Sequence, residues 1–303
     1  FMLGEKVEVG SSRLELEDPY GTLFEQDTSF YYEEDYWFLN KLMMKYFTVK
    51  DTNVDDSDAA QVQTVIDSFQ SSFDKLMRYL YTTPSAEVTL SELEKMIDVD
   101  SFAKYCLINE YCGNAEAVAS SFYSYKDGLD DVIHLGPVWD FDCSMGNYKD
   151  ESEYYMTAHV LFNCLLASPE FNNRVQEIFH ENRTAFSKLS SEAAAIKEQI
   201  ADSVTMNYIR WNVWGKPNPK DSLKDYAASY EEGYKKLEKW LYSQATSFRV
   251  QQVRIPYADV NEQCTAMNIL FDNGDDNRNV VFAVWSDQDG QDDLKWYYPV
   301  KNT

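Results

Sequence analysis

Two aspartates, Asp140 and Asp142, stand in the run Gly136-Pro137-Val138-Trp139-Asp140-Phe141-Asp142. In an extended chain the side chains at i and i+2 point the same way, with their Cα atoms about 6–7 Å apart. Two carboxylates on one face at a strand end can share a divalent cation. Magnesium takes such carboxylates together with phosphate oxygens, and in phosphoryl transfer it bridges the nucleotide phosphates and neutralises developing charge. Gly146, just downstream, lets the backbone turn close past a ligand. The plainer alternative is two solvated aspartates in an acidic turn, which the flanking Trp139 and Phe141 make less ordinary. A second group lies upstream: Asn109-Glu110, then Gly113-Asn114-Ala115-Glu116, at and just past a helix end. An acid and an amide there could serve as a base or position a metal. The competing explanation is a helix cap, since Gly and Asn accept the left-handed conformation.

Other chemistry finds less support. His134, His159 and His180 are isolated, without H-E-x-x-H spacing. His159 lies on an apolar helix face and reads as a core histidine. The five cysteines form no C-x-x-C pair and read mostly as buried small hydrophobes. There is no G-x-S-x-G. Asp272-Asn273-Gly274-Asp275-Asp276 resembles a calcium loop only faintly, lacking its spacing and closing Glu. Trp211 and Trp214 could rim a substrate site, but such residues more often pack a helix corner.

The elements that must position these residues can be read from spacing. Residues 1–9 alternate like a strand, and Arg13 to Asp18 and Thr22 to Gln26 suit further short strands. Residues 27–40 mix aromatics and acids with no clean period, and 51–58 reads as a polar loop. Val62, Val65, Ile66, Phe69, Phe73, Leu76, Met77 and Leu80 recur at helical spacing and predict an amphipathic helix over 59–81. Thr89 and Glu92 form a capping-box pattern before a short helix. Asp100 is expected to cap the next helix, over 101–112, which Gly113 stops. A hairpin over 117–126 and 131–139 would carry the acidic pair at its end. Helices then follow over 156–167, from Ser168-Pro169-Glu170 onward, over 186–204 and over 221–247. Near Ile255-Pro256 the pattern changes to short strands at Val280 to Trp285 and Leu294 to Tyr298, with turns at Asn273-Gly274 and Asp289-Gly290. The expected organisation is therefore an α+β domain over 1–255 and a partial all-β piece over 256–303.

With 44% hydrophobic and 15% aromatic residues the chain can build a core. Its net charge of −24 repels nucleic-acid phosphates and anionic membranes, so neither is an expected partner. The same charge steers Lys- or Arg-rich proteins towards it. No apolar run reaches the ~18 residues of a membrane span. Phe1 opens directly on strand-like alternation, so an N-terminal part of the domain is expected to precede it.

The stretch from Asp100 to Gly146 resembles the core signature of the spore-coat CotH kinase family. The shared features are a helix ending in Asn109-Glu110, an Asn-x-acid step at Asn114 to Glu116, the Ser-Phe-Tyr-Ser-Tyr strand and Gly-Pro-Val-Trp-Asp-Phe-Asp. The opening strand FMLGEKVEVGSSRLEL, Ser168-Pro169-Glu170-Phe171 and Ile209-Arg210-Trp211 also resemble family landmarks. The resemblance implies a distant protein-kinase-like fold, mostly its helical C-terminal part. It implies ATP with Mg2+ or Mn2+, and serine phosphorylation on a protein substrate that could be Lys- and Ser-rich. It implies Asp140 and Asp142 as metal ligands, Glu116 and Asp140 as catalytic acids, and Asn114, Asp142 and Glu5 as nucleotide contacts. Glu116 departs from the aspartate that the family favours, and the family's nucleotide-gripping lysine is expected upstream of Phe1, leaving the given stretch inactive alone. A kinase-like domain that has lost activity and serves as a surface binding protein is the alternative. VVFAVWSDQDGQDDLKWYYPV resembles a Bsp-like repeat of Gram-positive surface proteins. That likeness implies an extracellular or cell-surface location and possible cell-wall glycan binding through Trp and Tyr, against the alternative that Trp285 and Trp296 are the core of a small β module.

Overall fold

The computed structural model describes residues 6–147, 155–212, 214–216 and 227–248, with short stretches at 257–260, 267–270, 282–284 and 295–298. The fold is α+β. Strands β1 (Thr22–Gln26), β2 (Trp37–Asn40), β3 (Lys45–Thr52), β4 (Phe122–Lys126) and β5 (His134–Leu135) form one antiparallel sheet in the order β2-β3-β1-β4-β5. β1 follows its expected bounds. Between β1 and the residues before it, Arg13 to Asp18 forms no strand; Leu14 makes only an isolated bridge to Val9.

Helix α1 (Ala59–Thr82) packs on one face of this sheet. It buries the eight apolar residues that its spacing singled out. Asp58 caps it, its side chain accepting from the Ala60 and Gln61 amides. Phe69 stacks on Phe24 at 3.8 Å between ring centroids, and Phe73 meets Phe47 at 5.4 Å. This aromatic layer ties sheet to helix. Truncating a fully buried member such as Phe69 to Ala costs about 3–5 kcal/mol in such a setting.

β2 lies in the stretch read as aperiodic, and only the last two residues of β3 fall in the stretch read as a polar loop. On β3 the adjacent Phe47 and Thr48 are both buried, so the strand shows no alternation. Two caps also differ from expectation. The short helix α2 (Leu90–Leu93) has no side-chain bond from Thr89; its Leu90 amide donates instead to Glu170 Oε2 at 2.8 Å. Helix α3 (Val99–Cys112) begins earlier than expected and is capped by Asp98, which accepts from the Ser101 amide at 3.1 Å. Asp100 faces outward and takes a bidentate pair from Arg174 at 2.8 and 3.0 Å.

Helices α4 (Val160–Ala167), α5 (Pro169–Glu181), α6 (Arg183–Trp211) and α7 (Tyr230–Ser247) complete the helical half. Ser168 caps α5 through a bond from the Phe171 amide. Beyond α7, β6 (Tyr257–Val260) pairs with β7 (Met267–Leu270), and β8 (Phe282–Val284) with β9 (Lys295–Tyr297). The β8 and β9 strands match the expected pair; β6 and β7 were not anticipated. Trp296 is exposed on β9, which does not suit a core role for it. Glu5, Trp285, Cys264, the Asp272 to Asp276 run and both expected Asn-Gly and Asp-Gly turns lie outside the described residues.

Candidate functional site: an acidic cluster at the sheet end

The site begins at the C-terminus of α3. Gly113 ends this helix in the left-handed conformation (φ 59°), so the capping explanation holds for that residue. A Cβ there would stand 2.6 Å from the Trp240 ring, so only glycine fits. Asn109 and Glu110 lie inside the helix, both buried. Glu110 accepts from the Met156 amide at 2.8 Å and the Tyr155 amide at 3.2 Å, and so fixes the chain that enters α4. Burial pushes its carboxyl above the usual range, and these two amide bonds pull the other way.

Asn114 is fully buried. Its Nδ2 donates to Asn109 Oδ1 at 3.0 Å and its Oδ1 accepts from the Glu116 amide at 3.2 Å. Both ends of this amide are thus spent on bracing the turn Glu116–Val118. Glu116 itself is half-buried and accepts from Ser120 Oγ at 3.2 Å.

Asp140 and Asp142 arrive from β5. Strand pairing stops at Leu135, before Pro137, which has no N–H to give the ladder. The expected extended geometry is therefore corrected: Asp140 sits at φ 59°, in the left-handed region. Phe141 packs against the core and anchors the turn. The two carboxylates nevertheless meet. Burial raises the Asp140 carboxyl above its ordinary range, and the negative charges of Asp142 and then Glu116 raise it further. Ser121 Oγ, donating at 3.3 Å, acts in the opposite sense. Cys143, next in sequence, lies against the same acids: burial first, then Asp142 and Glu116, push its thiol up. The structure thus brings Glu116, Asp140 and Asp142 together, with Asn114 behind Glu116.

Sequence reasoning missed a row of residues leading into this cluster. Glu25 on β1 is buried, stands opposite Tyr123 of β4 and pairs with Lys50 of β3 at 3.0 Å. Lys50 also reaches Glu34 at 2.8 Å. Tyr123 in turn feels the charges of Glu25 and Asp140. An acid inside the apolar strand Thr22–Gln26 was the available signal, since a buried carboxylate demands a partner.

Among the described residues, no group of three or more His, Cys, Asp or Glu side chains has the arrangement of a resident metal site. None of their helices is long and apolar enough to cross a membrane. A search of curated proteins found no match. The family model described as CotH kinase protein matches residues 1–247, which spans every residue of the cluster. The chain is a kinase-like protein and belongs to the CotH kinase family.

Proposed function

We propose that this protein is an ATP- and Mg2+-dependent protein kinase acting on serine, exported to the cell surface or beyond. The observation that carries the reading is the meeting of Asp140, Asp142 and Glu116, without a cationic partner among the described residues, with burial and like charge raising the Asp140 carboxyl. A divalent cation relieves that repulsion. Magnesium held between nucleotide phosphates keeps several waters and needs only one or two protein carboxylates.

In this reading Asp140 and Asp142 would hold the cation, whose charge would offset that of the transferred phosphoryl group. Asn114 and Asn109 hold Glu116 in place, and Glu116 takes the proton of the attacking serine hydroxyl. Lys50, kept charged between Glu25 and Glu34, supplies a cation on the sheet. Glu5 completes the proposed nucleotide contacts. The net charge of −24 draws Lys-rich substrates. Residues 1–255 form the kinase-like domain, and 256–303 a β module whose exposed Trp296 and Tyr298 suit stacking on cell-wall sugars.

The test is nucleotide binding by calorimetry with and without Mg2+. Asp142→Ala should abolish the metal-dependent part of the affinity, and an unchanged affinity removes Asp142 from the site. Glu116, longer by one methylene than aspartate, favours a second reading, in which activity is lost and the domain binds without transferring. Robust transfer of labelled phosphate to a basic serine peptide would exclude it.

A further inference from the structure

One edge of the sheet carries exposed aromatics. β2 is its outermost strand. The turn Tyr31–Glu33 folds back over this edge, and Tyr31 stacks face to face on Tyr46 at 3.7 Å with an interplanar angle of 2°. Trp37 stands edge-on to Tyr31 at 4.9 Å between centroids. That packing seats Tyr31 and Trp37, and the edge leaves Tyr32 61% exposed, Phe30 55% and Trp37 44%.

Charge decides what such a surface takes. Glu33 and Asp35, both exposed, lie between Tyr32 and Trp37 in the chain, and neither makes an ion pair among the described residues. A neutral glycan would use the rings alone. A cationic side chain uses both: the ring face attracts the cation through its quadrupole, and the neighbouring carboxylate completes the charge pairing. We infer that the edge formed by Phe30, Tyr32 and Trp37, flanked by Glu33 and Asp35, is a docking surface for a Lys- or Arg-bearing peptide segment.

The sheet register sets how far this edge stands from the strand next to the acidic turn. Trp37 pairs with Thr48, Thr48 with Glu25, and Glu25 with Tyr123, so these four residues share one face. Tyr123 is the residue that senses Asp140. Three strand spacings of about 4.8 Å separate Trp37 from Tyr123, roughly 14 Å in all, or about four residues of extended peptide. Thr48, Glu25 and Tyr123 are themselves buried, so only the Trp37 end of this row is open to a docked segment. Docking itself needs neither nucleotide nor phosphoryl transfer, so it stands or falls apart from the proposed activity.

Fluorescence anisotropy on the full chain, without nucleotide, tests this. A short labelled Lys-Ser repeat peptide should bind, its Glu-Ser counterpart should not, and binding should weaken as salt rises. The double variant Tyr32→Ala/Trp37→Ala should weaken it about ten-fold. Glu33→Gln/Asp35→Asn, which leaves the rings intact, should weaken it in the same direction. Unaltered thermal melting checks that each variant is folded. Equal affinity in the wild-type chain and both variants overturns the inference. So does retention of a neutral cell-wall glycan through the same rings while the cationic peptide fails to bind.

Discussion

Glu116 is held by a bonded chain from Asn109 through Asn114, and by Ser120 at its carboxylate. Shortening it to aspartate withdraws the carboxylate by ~1 Å, a displacement that can cost about 100-fold in rate. Glu116→Asp should therefore lower the turnover of phosphotransfer by about that factor with nucleotide affinity preserved. A large gain would instead mark a degraded site. His159 offers a test away from the cluster. It is fully buried, stacked on Phe122, and its Nε2 lies 2.8 Å from Gln26 Oε1. Gln26 Nε2 already donates to the Ala119 carbonyl, so the imidazole donates from Nε2, and Nδ1, left without a partner, carries no proton. Burial, with nearby Lys45, lowers its pKa to about 3. The unfolded chain binds the proton first as pH falls through the ordinary histidine range of about 6.5, while the folded chain does not. The contribution is thus fully present above that range and is lost on acidification towards pH 3. Denaturant titration should show up to about 1.4 kcal/mol lost per pH unit in this window from this group. His159→Phe should flatten that slope. The histidine's burial agrees with its core reading, but it sits on no helix face: it is the extended residue before α4; its pairing with Gln26, 133 residues away, could not be read, because spacing says nothing of contacts between distant segments.

At the level of elements, what could be read depended on whether one face is buried. α1 declares itself because eight apolar residues fall on one side. β2 and β3 do not, since aromatics there serve both the core and the exposed edge. The acids at 140 and 142 were legible as a pair by composition, but their geometry was not: a left-handed Asp140, not an extended strand, brings them together. α3 likewise showed its end at Gly113 but not its beginning, because Asp98 and Asp100 are equally good caps and Arg174 takes the second. The helix end gives a direct prediction. Gly113→Ala would put a methyl into the left-handed region and against Trp240, which should cost about 2–4 kcal/mol. Urea titration should read that loss, and Gly10→Ala, with open space around it, serves as the control.

On the scale of the whole molecule, burial is uneven. α1 and α3 are core helices, whereas α6 runs 29 residues with none fully buried. Hydrogen exchange should accordingly rank α6 amides among the fastest helical ones, and those of α1 among the slowest. Comparable protection in both would mean that α6 is covered in solution. Trp240 crosses this contrast. It extends from α7 to the end of α3, donates Nε1–H to the Tyr111 carbonyl at 3.2 Å, and lies beside Gly113 and Gly146. Those two glycines bracket the acidic turn in sequence, yet the indole between them is encoded far downstream. During translation the turn must therefore wait. A nascent chain that has left the ribosome only as far as Gly146 has both glycines but not the indole that packs against them, so this junction closes only once α7 has emerged.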